Sequence, residues 1–245
     1  MKKPLKISLI VTGIVVVVLG GFIGWVLYQF RDMQVGATAR VTDSLYVINC
    51  GMVNAYVLTA GNQTVVFDAG TNPESMAKGF SALGLNPAVV SAVFLTHSDD
   101  DHAGGLPLFT KAKVYLSREE VAYLDGRALR HFLFFSRKNT LRVPEYLTLT
   151  DGDSVMVGDM AVRAIMTPGH TLGSMSFLAG DMLFTGDLCM VKDGMVEPMM
   201  AFVTENMTGD IESIRTIARL PNVKYLCTAH TGVCAEANAA LAKWR

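Results

Sequence analysis

The chain has 245 residues, of which 51% are apolar and only 18% are charged. Soluble domains usually carry about 25% charged residues, so this composition indicates a concentrated apolar block. Intrinsic disorder, a collagen-like repeat and a multi-pass channel are excluded. One membrane span followed by one globular domain remains.

The apolar block lies at the start of the chain, where Ile7 to Tyr28 form a run of 22 residues without a charged side chain. At about 1.5 Å per residue this run would form a helix about 33 Å long, enough to cross a hydrocarbon layer of about 30 Å. We therefore predict a basic N-terminus and transmembrane anchor over residues 1–30, a polar linker over 31–41 and one globular domain over 42–245.

The charges beside the apolar run predict its orientation. Three lysines precede the run, whereas Arg31 after it is offset by Asp32. The positive-inside rule then places the N-terminus in the cytoplasm and the domain in the periplasm or outside the cell. A cleaved signal peptide is the alternative, because residues 37–39 resemble a cleavage site. An uncleaved anchor is favoured, because the run is long for a signal peptide and ends well before that site.

Without residues 1–40 the chain carries 16 basic and 21 acidic residues, a formal net charge of −5. Domains that bind nucleic acid are usually basic, so we expect no nucleic-acid partner. The four cysteines, Cys50, Cys189, Cys227 and Cys234, show neither a CxxC nor a zinc-finger spacing. A domain of about 200 residues can form a core without disulfides, so we predict free, buried cysteines.

The predicted strands and helices fall into two similar halves. In the first half we predict strands at 45–49, 53–59, 64–68, 92–96 and 113–116, and helices at 73–83 and 117–125. In the second half we predict strands at 154–157, 160–166, 175–179, 182–185 and 224–228, and helices at 209–219 and 235–244. Because each half ends with a helix, this order favours two sheets packed face to face with helices outside over a single doubly wound sheet.

Histidines and acids follow several of these strands, at the points where the chain enters a loop. Six side chains occupy such positions: Asp68, His97, His102, His170, Asp187 and His230. Imidazoles and carboxylates on loops at strand ends are typical of metal ligands presented by a rigid scaffold. One such residue alone would more often be a capping acid or a core histidine, but six in a regular pattern favour a metal site.

These motifs resemble those of the metallo-β-lactamase superfamily, over about residues 41–235. The resemblance rests on Asp68, the segment from His97 to His102 with Gly104-Gly105 behind it, Pro168-Gly169-His170, Gly186-Asp187 and His230. It implies a four-layer αββα sandwich with a glyoxalase II-like core. It also implies a hydrolase with two divalent metal ions, for which zinc is favoured.

The resemblance further implies a role for each residue. His97, Asp99 and His170 would bind the first metal ion. The second would be bound by Asp101, His102 and His230, with Asp187 bridging the two ions. Asp68 would support a ligand or its loop from outside. A bridging hydroxide would attack a carbonyl or phosphorus centre, and Asp101 would orient it or accept a proton.

Asp99 departs from the usual HxHxDH segment, in which a histidine stands at this position. The site would then carry three carboxylates, so bound water should be less acidic and anionic substrates less attracted. A harder metal such as iron or manganese should also be favoured, and diiron members of the superfamily carry a carboxylate here. The alternative is that aspartate binds zinc as well as histidine does.

Residues 127–142 contain no acid and combine five basic residues with His131 and three phenylalanines. We predict that this segment covers the site as a lid. His131, Phe134 and Arg137 are its candidate contacts to an acyl, aryl or acidic substrate or to lipid headgroups. The alternative is an ordinary solvated helix with a few buried phenylalanines.

The sequence therefore favours a membrane-anchored metal-dependent hydrolase that acts on a small-molecule ester, lactone, thioester or phosphoester. A metal-containing binding or sensing module and a diiron oxidoreductase are the alternatives. Lactamases with a cysteine ligand are disfavoured because Asp187 stands at that position. Full-length glyoxalase II enzymes are disfavoured because only 15 residues follow His230.

Overall fold

A computed structural model of the chain describes residues 3–132 and 135–245. The chain divides into a unit that ends at Met33 and a second unit, Gln34–Arg245. The first unit is helix α1, Lys3–Phe30, which includes the predicted apolar run. Its segment Ile10–Phe30, with a mean hydropathy of 2.5, is long and apolar enough to cross a membrane.

The second unit begins with a seven-stranded sheet. Its strands, in sheet order, are β1 (Ala39–Arg40), β2 (Leu45–Asn49), β3 (Asn54–Ala60), β4 (Gln63–Phe67), β5 (Val90–Phe94), β6 (Lys113–Ser117) and β9 (Leu147–Leu149). Strands β1 to β4 pair antiparallel, whereas β4, β5, β6 and β9 pair parallel. Strand β1 lies inside the predicted linker and pairs with β2.

A second sheet has six strands. In sheet order they are β10 (Ser154–Val157), β11 (Met160–Met166), β12 (Met175–Ala179), β13 (Met182–Gly186), β16 (Tyr225–Thr228) and β17 (Gly232–Cys234). Only the β13–β16 pair of this sheet is parallel. Two hairpins stand apart from the sheets: β7 (Arg130–Phe132) with β8 (Phe135–Arg137), and β14 (Cys189–Lys192) with β15 (Met195–Pro198).

The two sheets pack face to face through a layer of aromatic rings. Phe67 of β4 and Phe184 of β13 are stacked, with centroids 3.7 Å apart and planes 7° apart. Phe94 and Phe177 pack beside them at 5.3 Å. All four rings are buried, so the core between the sheets is apolar and close-packed.

Helices cover the outer faces of both sheets. The helices are α2 (Pro73–Ala82), α3 (Asp100–Ala103), α4 (Val121–Asp125), α5 (Met207–Ala218) and α6 (Ala237–Ala240). Met76 and Phe80 of α2 join a core cluster on the first sheet, and Ile214 and Ile217 of α5 join one on the second. The predicted αββα sandwich is therefore confirmed.

Helix α2 shows how local sequence sets these elements. Pro73 stands in its first turn, and the side chain of Asn72 accepts a hydrogen bond from the backbone N–H of Ser75 at 2.8 Å. Gly84 follows the C-cap with φ +66°, a conformation that glycine adopts without strain. The predicted start of this helix is confirmed, and its predicted end lies one residue too late.

Three local predictions need correction. The helical alternative for residues 127–142 is wrong, because this segment contains the β7–β8 hairpin. The helix predicted at 235–244 is only the short α6 followed by a 3-10 turn, Ala242–Trp244. The predicted cysteines are free, but Cys234 is only partly buried, because it lies in the edge strand β17.

Candidate metal centre

The loops that follow β5, β11, β13 and β16 meet at one end of the two sheets. They bring the seven predicted ligand side chains into two clusters. The first cluster is His97, Asp99 and His170, and the second cluster is Asp101, His102, Asp187 and His230. Within each cluster the candidate ligand atoms all lie within 4.8 Å of one another.

Asp187 lies at the centre of the second cluster. Its Oδ1 is 3.2 Å from Nε2 of His102 and 3.1 Å from Nε2 of His230, and its Oδ2 is 3.5 Å from Nε2 of His170 in the first cluster. The carboxylate therefore lies between the two clusters, where the sequence places a bridging ligand. Nδ1 of His230 donates to the carbonyl oxygen of Met52 at 2.7 Å, which directs Nε2 towards Asp187.

Buried polar atoms of the second cluster lack ordinary partners. Nε2 of His102 and Oδ1 of Asp187 are buried, and neither makes a hydrogen bond to any residue that the structure describes. Burying such atoms without a hydrogen bond is costly, and a divalent ion would satisfy both. Two imidazoles with two carboxylates suit zinc, iron or manganese. The second cluster therefore fits a metal ion.

Asp68 holds His102 from the side opposite the cluster. Its Oδ2 lies 2.9 Å from Nδ1 of His102, and its Oδ1 accepts the backbone N–H of Thr96 at 2.8 Å. Asp68 has φ 56°, a strained conformation that these contacts stabilise. With its Nδ1 proton donated to Asp68, His102 turns Nε2 towards the cluster.

The charges of the second cluster are tightly coupled. Burial raises the pKa of Asp187, but the charges of His230 and His102 outweigh it and hold that pKa well below its ordinary value. Burial lowers the pKa of His102, but Asp187, Asp68 and Asp101 together raise it well above its ordinary value. A metal ion must therefore displace a proton from His102, so metal affinity rises with pH.

The first cluster has a different environment. Oδ2 of Asp99 lies 3.6 Å from Nε2 of His97 and 3.4 Å from Nε2 of His170. The guanidinium of Arg130 contacts the same carboxylate, with Nη2 2.9 Å from Oδ2. Burial raises the pKa of Asp99, but the neighbouring His170 and His97 and the charge of Arg130 hold that pKa well below its ordinary value. Arg130 was not among the predicted site residues.

Glu120 is a second residue that sequence analysis missed. Its side chain is fully buried, and Oε2 accepts the backbone N–H of Ser98 at 2.8 Å and the Ser98 hydroxyl at 2.5 Å. Oε1 accepts the hydroxyl of Thr171. Glu120 thus ties the loop that carries His97 to the loop that carries His170. No local sequence signal distinguishes it from its neighbour Glu119.

Two glycines permit the close approach of these loops. At Gly186, which has φ 52°, a Cβ would lie 2.2 Å from Oγ1 of Thr96 in the loop after β5. At Gly169 a Cβ would lie 2.4 Å from the Cα of Asp210 in α5. Any side chain at these positions would push the loops that carry Asp187 and His170 away from the centre.

Two of the predicted lid residues, His131 and Arg137, lie on the β7–β8 hairpin. His131 is exposed, with Nδ1 2.7 Å from Oγ of Ser136, and it lines an open cleft of about 460 Å³ with residues 202–205. Arg137 is exposed and pairs with Asp100 at 2.6 Å. Phe134 lies outside the described residues. The contacts of these residues with a substrate remain a prediction.

Comparison with known families places this centre in context. A family model described as the metallo-beta-lactamase superfamily matches residues 48–230. This range contains both clusters and Asp68.

Curated relatives match over parts of the chain. The "Probable polyketide biosynthesis zinc-dependent hydrolase PksB" of Bacillus subtilis (strain 168) is 32% identical over 115 residues, 46% of this chain and 44% of that protein. Hydroxyacylglutathione hydrolase of Yersinia pestis (strain Pestoides F) is 25% identical over 169 residues, 65% of this chain and 55% of that protein. The matched part of the chain spans less than half the length of PksB.

Solved structures share the fold. MEM-A1, a subclass B3 metallo-beta-lactamase from a soil metagenome library, superposes with a TM-score of 0.65 at 20% identity, over 86% of this chain and 93% of its own. A metallo-beta-lactamase family protein of Thermus thermophilus superposes with a TM-score of 0.64 at 21% identity, over 83% and 79%. At these identities the likeness concerns the fold.

The contacts of Glu120 with the two loops predict a large loss of stability when its carboxylate is removed. Glu120→Ala leaves the Ser98 amide and the hydroxyls of Ser98 and Thr171 without their acceptor. We expect the free energy of unfolding to fall by about 3 kcal/mol or more, measured by urea denaturation. The exposed neighbour provides the control, since Glu119→Ala should change it by less than about 0.5 kcal/mol. Equal effects of the two substitutions would contradict this role of Glu120.

The burial of Asp210 predicts that the stability of the chain depends on pH. It is fully buried, and burial, followed by the charge of Asp187, raises its pKa from 3.8 to about 8. The protonated form is the stable one in the folded chain, so its contribution is complete below pH 3.8 and is lost as the pH rises towards 8.

Asp210→Asn should remove this dependence. With EDTA in all samples, we expect the free energy of unfolding of the variant to rise relative to the wild type by about 1 kcal/mol per pH unit between pH 5 and 7.5. Asp159→Asn, at an exposed position, should follow the wild-type profile. Parallel profiles for wild type and Asp210→Asn would refute the buried-carboxyl interpretation.

Proposed function

The chain belongs to the metallo-β-lactamase superfamily, and on that premise we propose that it is a membrane-anchored metal-dependent hydrolase. The observation that carries the proposal is the second cluster, in which Asp187 lies between His102 and His230 with buried atoms lacking ordinary partners. The names of the curated relatives, which include hydrolases described as zinc-dependent, support the same class of reaction.

Zinc is the metal we propose for the second cluster, with iron and manganese as alternatives for the same ligands. A divalent ion bound there would acidify water at neutral pH and polarise an oxygen atom of the substrate. Two ions were predicted from the sequence. The first cluster differs from the second because Arg130 already contacts its acceptor atoms.

Asp101 is the residue we propose for proton transfer. Its side chain is 35% exposed, whereas His102, Asp187 and His230 are at most 6% exposed. Its Oδ2 also lies 3.8 Å from Nε2 of His102, at the edge of the second cluster. Asp101 can therefore exchange protons with solvent while it orients a nucleophilic water.

The substrate we propose is a small molecule with an ester, lactone, thioester or phosphoester bond. The open cleft of about 460 Å³ beside His131 and residues 202–205 supports a small ligand, since ligand sites usually have volumes of about 300–1,000 Å³. Glu205, at one wall of this cleft, contacts Arg130 of the first cluster at 2.8 Å. The cleft thus lies beside Arg130, which contacts Asp99 and His170 of the first cluster.

The full chain, purified in detergent, should hydrolyse at least one substrate in a panel of esters, lactones, thioesters and phosphodiesters. Chelation should abolish the activity and zinc should restore it. His102→Ala should lower kcat/KM by at least about 100-fold, because it removes a ligand atom. Asn62→Ala, at an exposed position in the turn between β3 and β4, is the control and should leave kcat/KM unchanged. Hydrolysis that survives chelation and His102→Ala would refute the proposal.

Helix α1 is the anchor we propose, with the domain in the periplasm or outside the cell. The apolar segment Ile10–Phe30 and the lysines before it support this. The chain should stay in the membrane fraction after an alkaline carbonate wash. Deletion of residues 1–33 should move it to the soluble fraction. A full chain that washes off, or one shortened by cleavage near residue 39, would contradict an uncleaved anchor.

A further inference from the structure

Arg130 reaches into the first cluster from β7 and is buried, with 7% of its surface exposed. Its Nε lies 3.0 Å from both carboxylate oxygens of Asp99, and its Nη2 lies 2.9 Å from Oδ2. Nη2 also lies 3.0 Å from Nε2 of His170. These are ligand atoms of Asp99 and His170 that a metal ion in this cluster would need.

The acceptor atoms cannot serve both cations. A neutral imidazole nitrogen has one lone pair, so Nε2 of His170 either accepts from Arg130 or binds a metal ion. Both oxygens of Asp99 accept from Arg130, and Oδ1 also accepts from Nδ2 of Asn139 at 2.8 Å. Of the three residues, His97 alone keeps a buried Nε2 without a hydrogen bond to the described chain.

The guanidinium is also satisfied on its other sides. Nη1 donates to the carbonyl oxygen of His170 at 2.9 Å and to Oε1 of Glu205 at 2.8 Å. Nη2 also lies 3.3 Å from the carbonyl oxygen of Val203. A guanidinium has five N–H donors, and together with the contacts to Asp99 each of them has an acceptor. Arg130 is therefore part of the centre itself, with no donor left over for a substrate.

The charges lead to the same conclusion. The positive charge of Arg130 is paired with Asp99, 2.9 Å away, and with Glu205, 2.8 Å away. The second cluster retains the two carboxylates of Asp101 and Asp187, whose charge a single divalent ion balances. A second ion in the first cluster would lie against a buried positive charge, in surroundings of low dielectric constant. The first cluster, with Arg130 in place, does not fit a metal ion.

We propose that the guanidinium of Arg130 takes the place of a metal ion in the first cluster, so that the chain binds a single divalent ion, in the second cluster. The inference rests on the proposed metal-dependent function, but it concerns the number and position of ions. The two proposals therefore fail on different results.

The test counts zinc ions per chain. The full chain and its variants, in detergent, are equilibrated with excess zinc, freed of unbound metal and analysed by elemental mass spectrometry. We expect one zinc ion in the wild type. Arg130→Met, which keeps the length of the side chain without its charge or donors, should bind two. Arg137→Met, on the same hairpin but exposed, should bind one, like the wild type.

Two histidine variants give an answer that does not depend on the folding of Arg130→Met. His97→Ala should still bind one zinc ion with wild-type affinity, because His97 belongs to the first cluster. His230→Ala should weaken zinc binding by at least about 100-fold, because His230 belongs to the second. Loss of zinc in His97→Ala with retention in His230→Ala would overturn the inference.

Two further results would overturn it. Two zinc ions in the wild type would show that Arg130 yields its place to a metal. One zinc ion in a folded Arg130→Met chain would show that the first cluster excludes metal for another reason. A hydrolase with two zinc ions refutes this inference alone, whereas a chain that binds no zinc and hydrolyses nothing refutes the proposed function.

Discussion

Buried charge of both signs, gathered at one end of two sheets, is the constraint on which the rest of the structure depends. Asp187 is 6% exposed and lies within 3.5 Å of three imidazoles. An isolated carboxylate at such a depth would be protonated rather than charged. The surrounding histidines keep it ionised, and Asp68 in turn fixes the ring of His102. Each group is tolerable in the interior only because its neighbours are present, so the centre forms as a unit.

The apolar core makes this arrangement possible because it fixes the distance between the sheets. Phe67 and Phe184 stack across the interface; β4 ends at Phe67 and β13 ends two residues after Phe184, so both strands lead directly into the polar centre. Gly186 then brings the end of β13 against Thr96, and Glu120 joins the loops of His97 and His170. Ligand atoms within 4.8 Å of one another thus come from loops more than 120 positions apart in the chain. Rigid sheets and short contacts between loops supply the geometry that the loops alone would lack.

The sequence predicted most accurately the strands and the functional residues whose positions follow from a strand end. Strands 45–49, 154–157, 160–166 and 175–179 were predicted with the bounds observed, because alternating or continuous apolar residues end abruptly at glycine or polar residues. Arg130 is one of five basic residues in the segment 127–142. Composition alone does not tell which of these five side chains points into the protein. Glu120 and Asn139 likewise act through partners more than 20 positions away in the chain. Glu120 contacts Ser98 and Thr171, and Asn139 contacts Asp99. The β14–β15 hairpin was missed because its short, mixed strands carry no clear periodicity.

Arg130 also changes how the charge of Asp99 affects the chemistry of the centre. From the sequence, a carboxylate in place of a histidine adds a negative charge to the centre and so favours a harder metal and less acidic bound water. In the structure that charge is paired with the guanidinium of Arg130 2.9 Å away, so the Asp99–Arg130 pair is neutral, and Glu205 lies on the other side of the guanidinium at 2.8 Å. The negative charge of Asp99 then has little effect on groups beyond the Asp99–Arg130 pair, because the fields of opposite charges at contact distance largely cancel at longer range. On the proposed single-ion centre, metal preference is decided by the two imidazoles and two carboxylates of the second cluster, a donor set in which zinc is common. On this proposal the departure at position 99 is compensated within the chain by Arg130, and the choice between zinc, iron and manganese lies with the second cluster.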